Sequence, residues 1–349
     1  MMMCYWVDHL RVISFLSVGI ISLNFSEADI VIPDSEDPGL GLPSIVIPED
    51  SKLTKSIIKL GEKLFFDKLL SRDRTVSCAT CHVPEQGFTQ NDRPKSVGVD
   101  GKIGRRNTPT LLNIAFADSL FVDGRASSLE EQAWQPILAE DEMGNSSVSE
   151  VLDRISTDKK YQSMFKNSFG EKSVNKDNVA IALSAYQRAL VSGGSPYDKW
   201  YYESEAEAMG PSAQRGYQLF AGQAQCWQCH QIAGSGVLFS DNLFHNTGVS
   251  FRSHKLGASV DLGRYEITKI NDDKRTFKTP TLRNVTLTAP YMHDGSLSTL
   301  EEVVRFYNDG GSDDPLISPI MGSLNLSKND IKDIVEYLHA LNGNLPLKN

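Results

Sequence analysis

Two short strings carry the densest chemistry in this sequence: Cys78-Ala79-Thr80-Cys81-His82 and Cys226-Trp227-Gln228-Cys229-His230. Each sets two thiols one helical turn apart and follows them at once with an imidazole. That spacing suits thioether bonds to the two vinyl groups along one porphyrin edge, with the histidine turned onto the iron, which is how c-type haem is attached. A zinc site or a thioredoxin-like pair also uses close cysteines, but no strand–helix redox pattern surrounds either string. Two strings in one chain predict two covalently bound haem c groups.

The fifth cysteine, Cys4, lies in residues 1–28, which read as an export signal. The apolar run from Val12 to Phe25 is followed by Ser26-Glu27-Ala28, a small-x-small cleavage pattern. Such a run falls short of the ~20 residues of a membrane-spanning helix. The mature chain is therefore expected to start near Asp29, to be periplasmic and to have no integral span. A formal charge of −9 argues against a nucleic-acid partner, and 349 residues are more than one core usually organises.

The elements that must hold these strings are duplicated. Gly61-Glu62-Lys63-Leu64-Phe65 precedes the first string and Gly216-Tyr217-Gln218-Leu219-Phe220 the second. Thr108-Pro109-Thr110-Leu111-Leu112-Asn113 recurs as Thr279-Pro280-Thr281-Leu282-Arg283-Asn284, and Asp123-Gly124 and Leu129-Glu130-Glu131 recur at the same offset of 171. Apolar spacing predicts helices at Ile57–Phe65, at Asn178–Val191 and at Ile331–Leu341, the last opened by a Ser327/Asp330 capping box. Strand signals are sparse. The expected fold is mainly α: two cytochrome-c-like helical domains, residues 29–200 and 201–349, joined through Ser192–Pro211.

The halves differ where a helix should pass the far side of each haem. Seven residues after Leu129 stands Pro136, which offers no ligand atom; seven after Leu300 stands Tyr307, a phenol able to bind ferric iron. The expected ligands are His82 alone on the N-terminal iron, and His230 with Tyr307 on the C-terminal one. Met292, His293 and Met321 compete with Tyr307. An iron open on one face can take peroxide, whose cleavage moves a proton between its two oxygens. Glu142 is the candidate acid–base group, with Glu140 and Asp141 beside it, and Gln132 is a neighbouring hydrogen-bonding group. His245, His254 and His339 are read as structural.

Together with Arg106-Asn107-Thr108-Pro109, Asp123-Gly124-Arg125, Glu142-Met143 and Ala289-Pro290-Tyr291-Met292-His293-Asp294-Gly295, these motifs resemble the bacterial di-haem cytochrome c peroxidases. The resemblance implies that His82 and His230 are proximal ligands and that Gln132 and Glu142 line the peroxide pocket. It also implies an inter-domain calcium site at Asn107, Thr288 and Pro290. Tyr307, where the ordinary enzymes commonly have Met, looks like the MauG branch. No His lies between Val83 and Asn107 to cap the N-terminal iron, and Val122 stands at the family's inter-haem Trp.

The leading expectation is an exported peroxidase, reducing hydrogen peroxide with electrons from a small c-type cytochrome or cupredoxin. The alternatives are a MauG-like oxidase of Tyr or Trp in a partner protein substrate, and a di-haem electron carrier without a substrate.

Overall fold

The computed structural model describes residues 32–346 except 50, 172, 173, 233 and 235; the expected export signal lies outside them. It is mainly helical, built as two cytochrome-c-like regions, and the only sheet among the described residues pairs Phe244–His245 with Phe277–Lys278. No described helix is long and apolar enough to cross a membrane.

In the first region the helix Lys55–Phe66 starts where the Thr54 side chain accepts the Ile57 N–H, satisfying one of the donors a helix start leaves unpaired. It buries Ile57, Leu60, Leu64 and Phe65 against the helix Lys176–Arg188, which Asn175 caps. The two backbones nearly touch at Gly61: a Cβ there would lie 1.8 Å from the Ala182 carbonyl oxygen. The second region repeats the device. Helix Pro211–Ala221 crosses helix Lys328–His339 at Gly216, where a Cβ would lie 2.0 Å from the Asp333 carbonyl oxygen. The Ser327/Asp330 capping box forms as the sequence suggests.

Each region has its own apolar core. Leu60, Leu64, Phe65, Ile137, Leu183 and Tyr186 anchor the first, and Tyr197, Phe220, Phe239, Ile334, Tyr337 and Leu338 the second. The stretch expected to be a connection holds a short helix, Pro196–Tyr202, started by a Ser195/Asp198 capping box. Its Tyr197 is wholly buried in the second core.

Polar contacts stitch the regions together. Arg106 reaches Asp123 of its own region (2.5 Å) and Asp261 of the other (2.8 Å). The Lys278 N–H donates to the Val122 carbonyl (2.8 Å), and the Asn107 N–H to that of His293 (2.8 Å).

Candidate functional site

The thiols of Cys78 and Cys81 sit on a single helical turn, opened by a capping box between Ser77 and Thr80. His82 follows, and its Nδ1–H donates to the Phe88 carbonyl at 3.0 Å, which leaves Nε2 as the atom that can meet a metal. Phe88 reaches that position with φ of +57°, a left-handed backbone that a bulky residue adopts only when its surroundings hold it. The Thr110 hydroxyl steadies the loop by donating to the Gly87 carbonyl at 2.6 Å.

The second half reproduces this geometry. His230 Nδ1–H donates to the Phe239 carbonyl at 2.8 Å, Phe239 has φ of +53°, and Thr281 donates to the Leu238 carbonyl at 2.7 Å. Burial lowers both histidines below their ordinary pKa and keeps them neutral, the form in which imidazole binds iron.

The four cysteines of the two strings form no disulfide with one another. Burial pushes Cys78 and Cys226 up to about 12 and Cys81 and Cys229 up to about 11.

A cavity of about 420 Å³ opens from Cys81 and His82, and Gln132, Pro136 and Glu142 line it. A smaller cavity beside it shares those residues and adds Cys78 and Phe65. The Gln132 Oε1 is buried and has no hydrogen-bond partner, as expected of a group aimed at a ligand. Burial first, and then the Asp141 charge, raises the Glu142 carboxyl above its ordinary pKa, while Arg125 opposes the shift. Glu140 points outward and pairs with Lys102. Asp141 also borders the larger cavity, but Glu142 alone of the three lines both. The helix Leu129–Leu138, capped by Ser128, places Gln132 and Pro136 one turn apart.

On the other side, the helix Leu300–Asn308 presents Tyr307. Burial holds the phenol well above its ordinary pKa, and the nearby Cys229 and Cys226 sulfurs act in the same direction. The three competing ligands have these surroundings, Met292 sharing its apolar cluster with Tyr307. His293 stacks on Phe277 at 3.7 Å between ring centroids, Met292 packs with Phe306 and Val249, and Met321 lies against Gly311.

Sequence reasoning passed over the arginines. Arg105, Arg106 and Arg125 line the larger cavity, where guanidinium groups match the carboxylates that a haem carries. Arg106 and Arg125 both pair with Asp123. The Arg106-Asn107 and Asp123-Gly124-Arg125 strings were the available signal. His245 has a partner too: its Nε2 lies 2.8 Å from Asp241.

The calcium candidates lie on two facing loops. The Asn107 side chain donates to the Pro94 carbonyl (3.0 Å), Thr288 donates to that of Val285 (2.9 Å), and Pro290 follows a cis peptide bond. Val122 borders the larger cavity without an aromatic ring, beside Phe121, on whose ring Arg125 sits at 3.4 Å. Thiol pairs and neutral imidazoles fit one haem c in each half, and in the first half a cavity opens beside them.

Comparison with known proteins agrees. The sequence profile of the di-haem cytochrome c peroxidases matches residues 55–206, and that of cytochrome c matches residues 213–342. The chain is 39% identical over 299 residues to the methylamine utilization protein MauG of Methylorubrum extorquens, covering 85% of this chain and 81% of that protein. It is 35% identical over 298 residues to the cytochrome c551 peroxidase of Pseudomonas aeruginosa, covering 82% and 79%. A solved MauG-like protein associated with microbial copper homeostasis superposes with a TM-score of 0.78 at 31% identity, covering 87% of this chain and 94% of that one. The matched profiles and the relatives at 39% and 35% identity place the chain in the di-haem cytochrome c peroxidase family, an oxidoreductase family with two c-type haems that includes MauG.

Proposed function

We propose that the protein reduces hydrogen peroxide to water in the cavity opposite His82, using electrons that a small c-type cytochrome or cupredoxin delivers through the second half. The observation that carries the reading is the difference between the halves: a cavity lined by Gln132 and Glu142 beside His82 in one, and the Tyr307 phenol near the thiols in the other. Cys78, Cys81 and His82 would hold a haem, which would supply the site of peroxide binding and the electrons for its reduction. Glu142 accepts the proton of the near oxygen and returns it to the far one, so that with two electrons and two protons each peroxide leaves as two waters. Gln132 orients peroxide through its unpaired amide oxygen. In the second half, His230 and Tyr307 would hold the haem, which would supply storage and relay of electrons.

Three further assignments belong to the same reading: removal of residues 1–28 on export to the periplasm, a division into residues 29–200 and 201–349, and a calcium ion at Asn107, Thr288 and Pro290. MauG-like oxidation of Tyr or Trp in a protein substrate is the second reading. Tyr307 and the 39% identity to MauG favour it. Turnover of peroxide with reduced cytochrome c as sole donor supports the first reading. Rapid consumption of one equivalent of peroxide without cytochrome turnover supports the second.

A further inference from the structure

The two halves can be overlaid residue by residue behind the proximal histidines, because Phe88 and Phe239 play the same part at the same unusual φ. Thr89 then matches Ser240, and Gln90 matches Asp241. At this place the halves part.

The Asp241 side chain is almost wholly buried. One of its oxygens accepts from His245 Nε2 at 2.8 Å and the other from the Leu243 N–H at 2.9 Å. These hydrogen bonds outweigh the cost of burial and hold the carboxyl below its ordinary pKa. A carboxylate oxygen of Asp241, a ring nitrogen of His245 and the Cys229 sulfur all lie within 4.8 Å of one another. Asp241 therefore stands against the sulfur that would bond the porphyrin edge, two residues beyond the carbonyl that holds His230. Gln90, the matching residue, is buried and neutral, and its Oε1 has no partner.

We propose that Asp241, held in place by His245, is a positioning residue whose fixed negative charge lowers the reduction potential of the C-terminal haem, a device the N-terminal half lacks because Gln90 takes its place. The inference rests on the reading that Cys226, Cys229 and His230 carry a haem. A negative charge fixed beside the point where the haem would be attached, in partly dry surroundings, favours the more positive oxidation state. It would make the second haem hold oxidising equivalents more readily than one without a charge at that place.

Spectroelectrochemical titration of the full-length holoprotein tests this. In Asp241→Asn the ratio of reduced to oxidised low-spin haem, at a fixed electrode potential, should rise by about tenfold, or 59 mV for one electron. The low-spin spectrum should be kept and the high-spin haem should not move. In Gln90→Asp the high-spin haem should shift the opposite way while the low-spin one stays put, and this variant decides alone if Asp241→Asn loses its second haem. Potentials unmoved in both variants, with spectra intact, overturn the inference and leave the functional reading standing. Wild-type protein without a low-spin haem would overturn that reading itself.

Discussion

At the scale of single residues, the chemistry turns on Glu142 and Tyr307. Glu142→Gln keeps the size of the side chain and removes its proton traffic. Peroxide should still bind, while O–O cleavage measured by stopped flow slows by about 10²–10⁴-fold. Burial raises the Glu142 pKa, so the carboxylate that accepts the first proton forms only above the ordinary glutamate range. Peroxide reactivity should accordingly rise with pH through a step displaced upward from that range, and Glu142→Gln should abolish the step. Tyr307→Phe removes the phenol near Cys226 and Cys229; the low-spin haem spectrum should change while the high-spin spectrum stays as it is. The attaching cysteines and histidines were legible because their spacing is local. The positions of Gln132 and Glu142 on one cavity could be anticipated from their spacing around Pro136, and Tyr307 was singled out by the internal repeat. The Arg106–Asp261 pairing was not legible, because it joins residues 155 positions apart and no local pattern encodes such a partner. The role of Asp241 was hidden for a related reason: the loops after the two histidines differ in length, so no constant offset aligns it with Gln90.

At the scale of elements, two glycines set how closely the paired helices cross. Gly61→Ala and Gly216→Ala each place a methyl group inside a backbone carbonyl's radius, and the helices must move apart. Each change should lower stability by about 1–3 kcal/mol in denaturant titration, the usual cost of overpacking, and should broaden the nearby haem's spectrum. Exposed Gly170, with nothing within 4 Å of an added Cβ, has no such packing to lose. The long helices showed in the sequence because apolar residues recur with their period. The Pro196–Tyr202 helix did not, since Gly193-Gly194-Ser195-Pro196 signals a turn and the burial of Tyr197 comes from partners distant in sequence. Nor could the pattern reveal the left-handed Phe88 and Phe239. That strain is held by the surrounding loops and has no local preference behind it.

At the scale of the whole molecule, the N-terminal segment ties into the second region through one buried cation. Arg283 donates to both Asp198 oxygens at 2.8 and 2.9 Å and also to the carbonyls of Gly41 and Val237, with neither charged side chain exposed. Asp198→Asn leaves that guanidinium uncompensated and should cost about 3–5 kcal/mol in equilibrium unfolding. The duplicated architecture was legible from the repeat, whereas this thread from Gly41 to Arg283 was not, because the residues around Gly41 have no counterpart in the second half. The consequence of duplication with divergence is a molecule holding two unequal metal environments in one scaffold. Electron-spin resonance and optical spectra of the oxidised holoprotein test that inequality most directly. The account predicts one high-spin haem with an open face and one low-spin haem in equal amounts. Two low-spin haems, each saturated by protein ligands in every oxidation state, would contradict it.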